Sequence, residues 1–165
     1  AMTMAATQRA PGSKPATMSI LEAHAALVEL KKEIGPKAEI YVSLSTSDGR
    51  DKPLHAQIYA GGMGQRDPNF HCSGTELGQL VADLRVGWEG FQVEHARRMT
   101  ADMALEIIRI TDEQGCCTDA ALRGSKFSVG DVLRFGPAAC AKANEMAGRG
   151  PFEIVSIAGA NGEAA

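Results

Sequence analysis

His71 and Cys72 stand directly before Ser73-Gly74-Thr75-Glu76, a run that opens helices. A thiol at a helix N-terminus is held as thiolate by the helix dipole, which is how reactive cysteines are often made. His71 is badly placed to act as its base, since neighbouring side chains on a strand point to opposite faces. The plainer alternative for Cys72 is a small buried hydrophobe. Tyr41, His55, Tyr59 and His71 form a second constellation. Each falls at an outward position of a strand with period two, so all four share one sheet face. Aromatic residues with polar tips suit a ligand or partner face, although antiparallel sheets also present such faces to water. A zinc site from His55, His71 and a cysteine is disfavoured because Cys72 points the other way. No carboxylate pair, Ser–His–Asp order or H-E-x-x-H helix is apparent, so no metal or cofactor is expected and the balance leans against an enzyme.

Two further patterns concern phosphates. Gly61-Gly62-Met63-Gly64-Gln65-Arg66-Asp67 lacks the GK[ST] ending of a Walker loop and the third glycine of a dinucleotide fingerprint. It also joins two strands, so no helix N-terminus waits to receive a phosphate. Residues 118–135 have the spacing of a helix-turn-helix, with Gly124-Ser125-Lys126 as the turn and a helix opening at Ser128. Lys126 and Arg134 are its possible DNA contacts. The candidate reading helix, Ser128 to Phe135, has almost no amide side chains to meet base edges.

These residues sit on a chain of 165 residues that is 44% hydrophobic and 22% charged, with a formal net charge of −3. The charge is uneven. Residues 1–18 carry Arg9 and Lys14 without an acid, residues 19–115 carry 10 bases against 15 acids, and residues 116–149 carry 5 bases against 3 acids. A body at −5 is a poor partner for phosphate backbones. No run of 18 apolar residues suits a membrane span, and no secretory pattern is present. Four cysteines without such a pattern, Cys116 and Cys117 adjacent, read as reduced and cytoplasmic.

Elements follow from periodicity and punctuation. Ser19-Ile20-Leu21-Glu22 is a capping box, and Ile20, Ala23, Leu27, Leu30 and Ile34 make an apolar stripe that ends at Gly35-Pro36. Ile40, Val42 and Leu44, then Leu54, Ala56 and Ile58, alternate with polar residues, predicting a hairpin around Ser47-Asp48-Gly49-Arg50. A short third strand follows near Asn69–Cys72. A helix capped at Ser73 then runs through Leu77, Leu80, Leu84, Trp88, Phe91, Met99, Met103, Ile107 and Ile110 to Gly115, with a possible break at Gly87 or Gly90. Short helical pieces are expected at 119–124, at 129–135 and from Gly136-Pro137 to Gly148, before a strand or docking segment at Phe152–Val155.

The expected class is α+β: a loose tail 1–18, an α-β-β-β-α module 19–92, a helical subdomain 93–157 and a loose tail 158–165. The helix–strand–strand–strand–helix order resembles the double-stranded RNA-binding domain in topology, although Ser73–Leu80 carries no lysine cluster for phosphates. The function these features favour is a non-catalytic binding or regulatory protein acting as a homo-oligomer. The alternatives are a DNA-binding regulator using 118–135 and a small enzyme using Cys72 or the His55/His71 face. A dimer is expected through an uncovered apolar stripe of Trp88, Phe91, Met99 and Met103, since monomers rarely expose a patch that large. Another protein is a possible partner, nucleic acid a less favoured one, and a membrane is not expected.

Overall fold

A computed structural model of the chain describes residues 17–47 and 51–157. The proposed tails, apart from Thr17 and Met18, and residues 48–50 of the hairpin turn lie outside the described residues. The element order is α1 (Ile20–Ile34), β1 (Glu39–Leu44), β2 (Leu54–Tyr59), β3 (Phe70–Gly74), α2 (Leu77–Gln114), β4 (Cys117–Thr118), α3 (Asp119–Ser125), α4 (Val129–Ala147) and β5 (Ile154–Val155). The architecture is α+β. The chain divides into two compact units at Glu89/Gly90. Among the described residues no helix is long and apolar enough to cross a membrane.

The first unit is a three-stranded antiparallel sheet, order β1-β2-β3, with helices against its apolar face. The Ser19 hydroxyl accepts from the Glu22 N–H at 3.1 Å and the Glu22 carboxylate accepts from the Ser19 N–H at 2.7 Å, the reciprocal cap its sequence predicts. Ala56 and Ile58 of β2 are fully buried, with Leu80, Leu84 and Trp88 of α2 and Ala23 and Leu30 of α1 also in the core. Each large aliphatic buried this way contributes about 1.5–3 kcal/mol before chain entropy is subtracted. Ile20 departs from the expected stripe and is 80% exposed.

Two expectations for α2 need correction. The helix begins at Leu77 and Ser73 belongs to β3, paired with His55. Glu76 caps it instead, its carboxylate accepting from the N–H groups of Gly78 and Gln79 at 3.0 and 2.9 Å. Nor does the helix break: it is continuous for 38 residues. Gly87 is there for close packing, since a Cβ on it would overlap the Phe70 ring, with even ring atom Cε2 only 2.8 Å away.

The second unit has its own core: Met103, Ile107 and Ile110 of α2 against Leu122, Phe127, Phe135, Ala139, Ala143 and Phe152, all buried. This corrects the proposed oligomer stripe. Trp88 and Met103 are buried within the chain, Phe91 and Met99 are half-buried, and Met99 packs on the second core. The small alanines of α4 let the helix approach closely enough to cover the α2 stripe that length arithmetic alone leaves bare. The pieces expected at 129–135 and beyond Pro137 are one helix, α4, with Pro137 inside it. Phe135 and Gly136 before the proline and Ala139 and Ala143 after it are buried, so both halves pack on the core.

Candidate binding cleft

α4 starts where its sequence says it should. The Ser128 hydroxyl accepts from the Asp131 N–H at 3.0 Å, and the Asp131 carboxylate accepts from the Ser128 N–H at 2.9 Å. From that cap, Val129, Val132, Leu133, Gly136, Pro137 and Cys140 fall on one helix face at spacings of three and four. They form one wall of a cleft of about 690 Å³. Phe152, Glu153, Ile154 and Ser156 form the opposite wall, and Asp119 and Arg123 of α3 close one end.

The far wall is tied down at its start by Asn144. Asn144 Oδ1 accepts from the Phe152 N–H at 2.7 Å, which turns the chain back along α4 after Gly148. β5 then pairs in parallel with β4, Cys117 opposite Ile154 and Thr118 opposite Val155. Gly136 allows the approach of this wall: a Cβ there would sit 3.0 Å from Ile154 Cδ1. The Asp119 carboxylate accepts from the Ile157 N–H at 3.3 Å and pairs with Arg123 at 3.5 Å.

The chemistry of the cleft is apolar with a few directed polar groups. Pro137 has no N–H to give to the Leu133 carbonyl, so the wall carries one helical acceptor without its usual partner. Burial pushes the Cys140 thiol up, against a hydrogen bond from the Ile154 backbone that lowers it, so it stays protonated as a weak donor. Leu133 is 76% exposed and Val129 55% exposed, so the apolar lining spills out onto the surface at the start of α4.

No family model, curated protein or solved structure matches this chain. The site therefore has to be read from its own residues.

The other candidates are placed as follows. Tyr41, Gln57 and His71 stand in register across the outer sheet face, as do Ser43, His55 and Ser73, so the four expected side chains share one face. Tyr41 and Tyr59 meet edge to face at 5.7 Å, and the buried Nε2 of His55 has no hydrogen-bond partner among the described residues. Cys72 does not carry a thiolate: burial, then the nearby Asp83 carboxylate, push its thiol up, and its sulfur lies 3.9 Å from the Leu80 carbonyl. The helix dipole fails here because α2 starts five residues later, at Leu77. Among the described residues no group of three His, Cys, Asp or Glu side chains is placed to hold a metal ion. The glycine loop is a structural connector, tied by Gln65, which accepts from the Gly61 N–H at 2.9 Å and donates to the Asp67 carbonyl at 2.6 Å.

The sequence carries a signal for the cleft in the unbroken apolar spacing Val129–Val132–Leu133–Gly136–Cys140, but Gly136-Pro137 reads as a helix end and splits it in two.

Proposed function

We propose that this chain is a non-catalytic binding protein and that the cleft between α4 and the Phe152–Ser156 segment takes the apolar part of its ligand. The observation that carries the reading is a concave, apolar-lined space of about 690 Å³, within the usual 300–1,000 Å³ range of ligand sites, with only a few polar groups to orient a guest. Exposed Val129 and Leu133 at its mouth supply contact surface that no described residue covers. Four unpaired cysteines suit a reducing compartment such as the cytoplasm.

The DNA-binding alternative is less well supported. α3 and α4 are joined by only Lys126, Phe127 and Ser128, as a helix-turn-helix requires. Yet the exposed start of α4 offers valine and leucine where base edges need amides and cations. Lys126 pairs with Asp102 at 3.5 Å, and Arg134 stacks over Phe135 at 5.1 Å.

Titration with an environment-sensitive apolar dye, 1-anilinonaphthalene-8-sulfonate, tests the cleft. One saturable site per folded chain is expected, and Leu133→Asp should weaken it at least tenfold without moving the thermal midpoint, because the side chain is exposed. Dye binding indifferent to Leu133→Asp and to Val129→Asp refutes the assignment. Salt-sensitive binding of a labelled duplex, lost with Arg134→Ala and Lys126→Ala, would favour the regulator instead.

A further inference from the structure

β1 is an outer strand of its sheet, and among the described residues no strand lies on the side turned away from β2. The Ser45 N–H donates to the Pro53 carbonyl at 2.7 Å, which sets the phase of the ladder. Tyr41, Ser43 and Ser45 exchange bonds with β2, so Ile40, Val42 and Leu44 turn their N–H and C=O groups outward. Among the described residues nothing pairs with them.

Natural sheets protect such an edge with lysine, proline or a bulge. β1 reads Glu-Ile-Tyr-Val-Ser-Leu, with one charge at its start and an uninterrupted one-to-one register. Val42 and Leu44 point to the helix-covered side yet remain 38% and 65% exposed. β3, the other edge, is shorter, and its inward residues Phe70 and Cys72 are half-buried.

We propose that a second copy of this chain closes the edge, β1 pairing antiparallel with its twin about a twofold axis at Val42. Val42 then faces its twin, Ile40 faces Leu44, and Tyr41 faces Ser43. Several features select this register. All three outward-facing residues of β1 meet outward-facing residues, so each pair exchanges two backbone bonds. A one-residue slip would oppose outward groups to groups already bonded within the sheet, and a two-residue slip would leave one of the three pairs outside the strand. The apolar row Ile40–Val42–Leu44 meets itself on the helix-covered side. Glu39, the sole charge of the strand, falls opposite Ser45 and about 20 Å from its twin, at 3.3 Å per residue. The sheet becomes six-stranded. The pairing is independent of the cleft, which lies in the other unit.

Light scattering of the full chain at about 1–100 µM, which reaches the weak end of the affinities of standard-size interfaces, is expected to report a dimer. Val42→Pro removes an N–H that points only outward, and edge strands tolerate proline, so the sheet should survive while dimerisation weakens at least tenfold. Leu44→Lys should do the same at an exposed site and keeps the test open if the proline variant does not fold. Circular dichroism must show native helix content in the variant used, and dye binding at the cleft should be unchanged. A chain that is monomeric throughout that range, or a dimer that persists in both variants, overturns the proposal.

Discussion

Gly87 and Gly90 lie three residues apart on one helix and should respond to alanine with opposite signs. Exposed or open helix positions gain about 1 kcal/mol from glycine to alanine, because the backbone loses less entropy. Gly90 is such a position: a Cβ there would meet nothing within 4 Å. Gly90→Ala should raise the midpoint by about 2–4 °C, as expected for 1 kcal/mol in a chain of this size. At Gly87 the same gain is opposed by Phe70, since the Cβ would overlap its ring and the farthest of the three nearest ring atoms would be 2.8 Å away. Carbon contacts are most favourable near 3.5–4.0 Å, so the ring must retreat by about 1 Å or more. Overpacking costs about 1–3 kcal/mol, and with three ring atoms well inside contact distance this site belongs toward the upper end of that range, about 2–3 kcal/mol. Net destabilisation should therefore be about 1–2 kcal/mol, a fall of several degrees. Phe70→Leu should relieve it, so the double variant should be more stable than the two single losses add to. Thermal melts followed by circular dichroism provide the readout. If Gly87→Ala stabilises as much as Gly90→Ala, the ring does not sit against α2 and the packing assigned to the first unit is wrong.

Three further outcomes are expected. Arg109, by hydrogen bonding and charge, with help from Ser125 and Lys126, holds the Glu106 carboxyl down at about 2. Its stabilisation is thus complete above the ordinary carboxylate range and lost as pH falls from about 4.5 toward 2; with Arg109 half exposed it is about 1 kcal/mol, and urea melts of Glu106→Gln should lack that slope. A wild-type curve parallel to the variant's would contradict it. Cys116 is exposed, whereas burial pushes the thiols of Cys72 and Cys140 up and that of Cys117 to about 11. Ellman's reagent at neutral pH should find one fast thiol in the folded chain, abolished by Cys116→Ser, and a second fast thiol would show that a buried site is open. Gly62 has φ +84° with the Lys37 carbonyl 2.5 Å from where a Cβ would sit, so Gly62→Ala should cost about 2 kcal/mol or more, read as a lowered midpoint.

Local rules carried the sequence reading a long way. The caps at Ser19 and Ser128, the alternation of β1 and β2 and the glycine end of α2 are each written within a few neighbouring residues, and each appears in the structure. What was not legible depended on partners distant in sequence. Met103 looks like a surface methionine until Leu122, Phe135 and Phe152 are known to surround it. Gly87 reads as a helix breaker until Phe70 arrives beside it. Ser73 and Glu76 share one apparent capping box, but pairing of Ser73 with His55 claims the serine for the sheet and leaves the cap to the glutamate. The cleft is of the same kind: Gly-Pro commonly ends helices, and here burial on both sides of Pro137 carries α4 through it.

Pro137 has a mechanical consequence. A helix bends most cheaply where a ladder bond is already missing, and in α4 that place is the turn from Leu133 to Pro137, in the middle of the cleft wall. Ser128 and Asn144 anchor the helix on either side of it, one through the cap and the other through the Phe152 segment. Flexing is therefore concentrated where a guest would press. If the cleft binds as proposed, a wall that can bend there would change its curvature with the size of its guest, which favours tolerance among apolar guests over selection of a single shape.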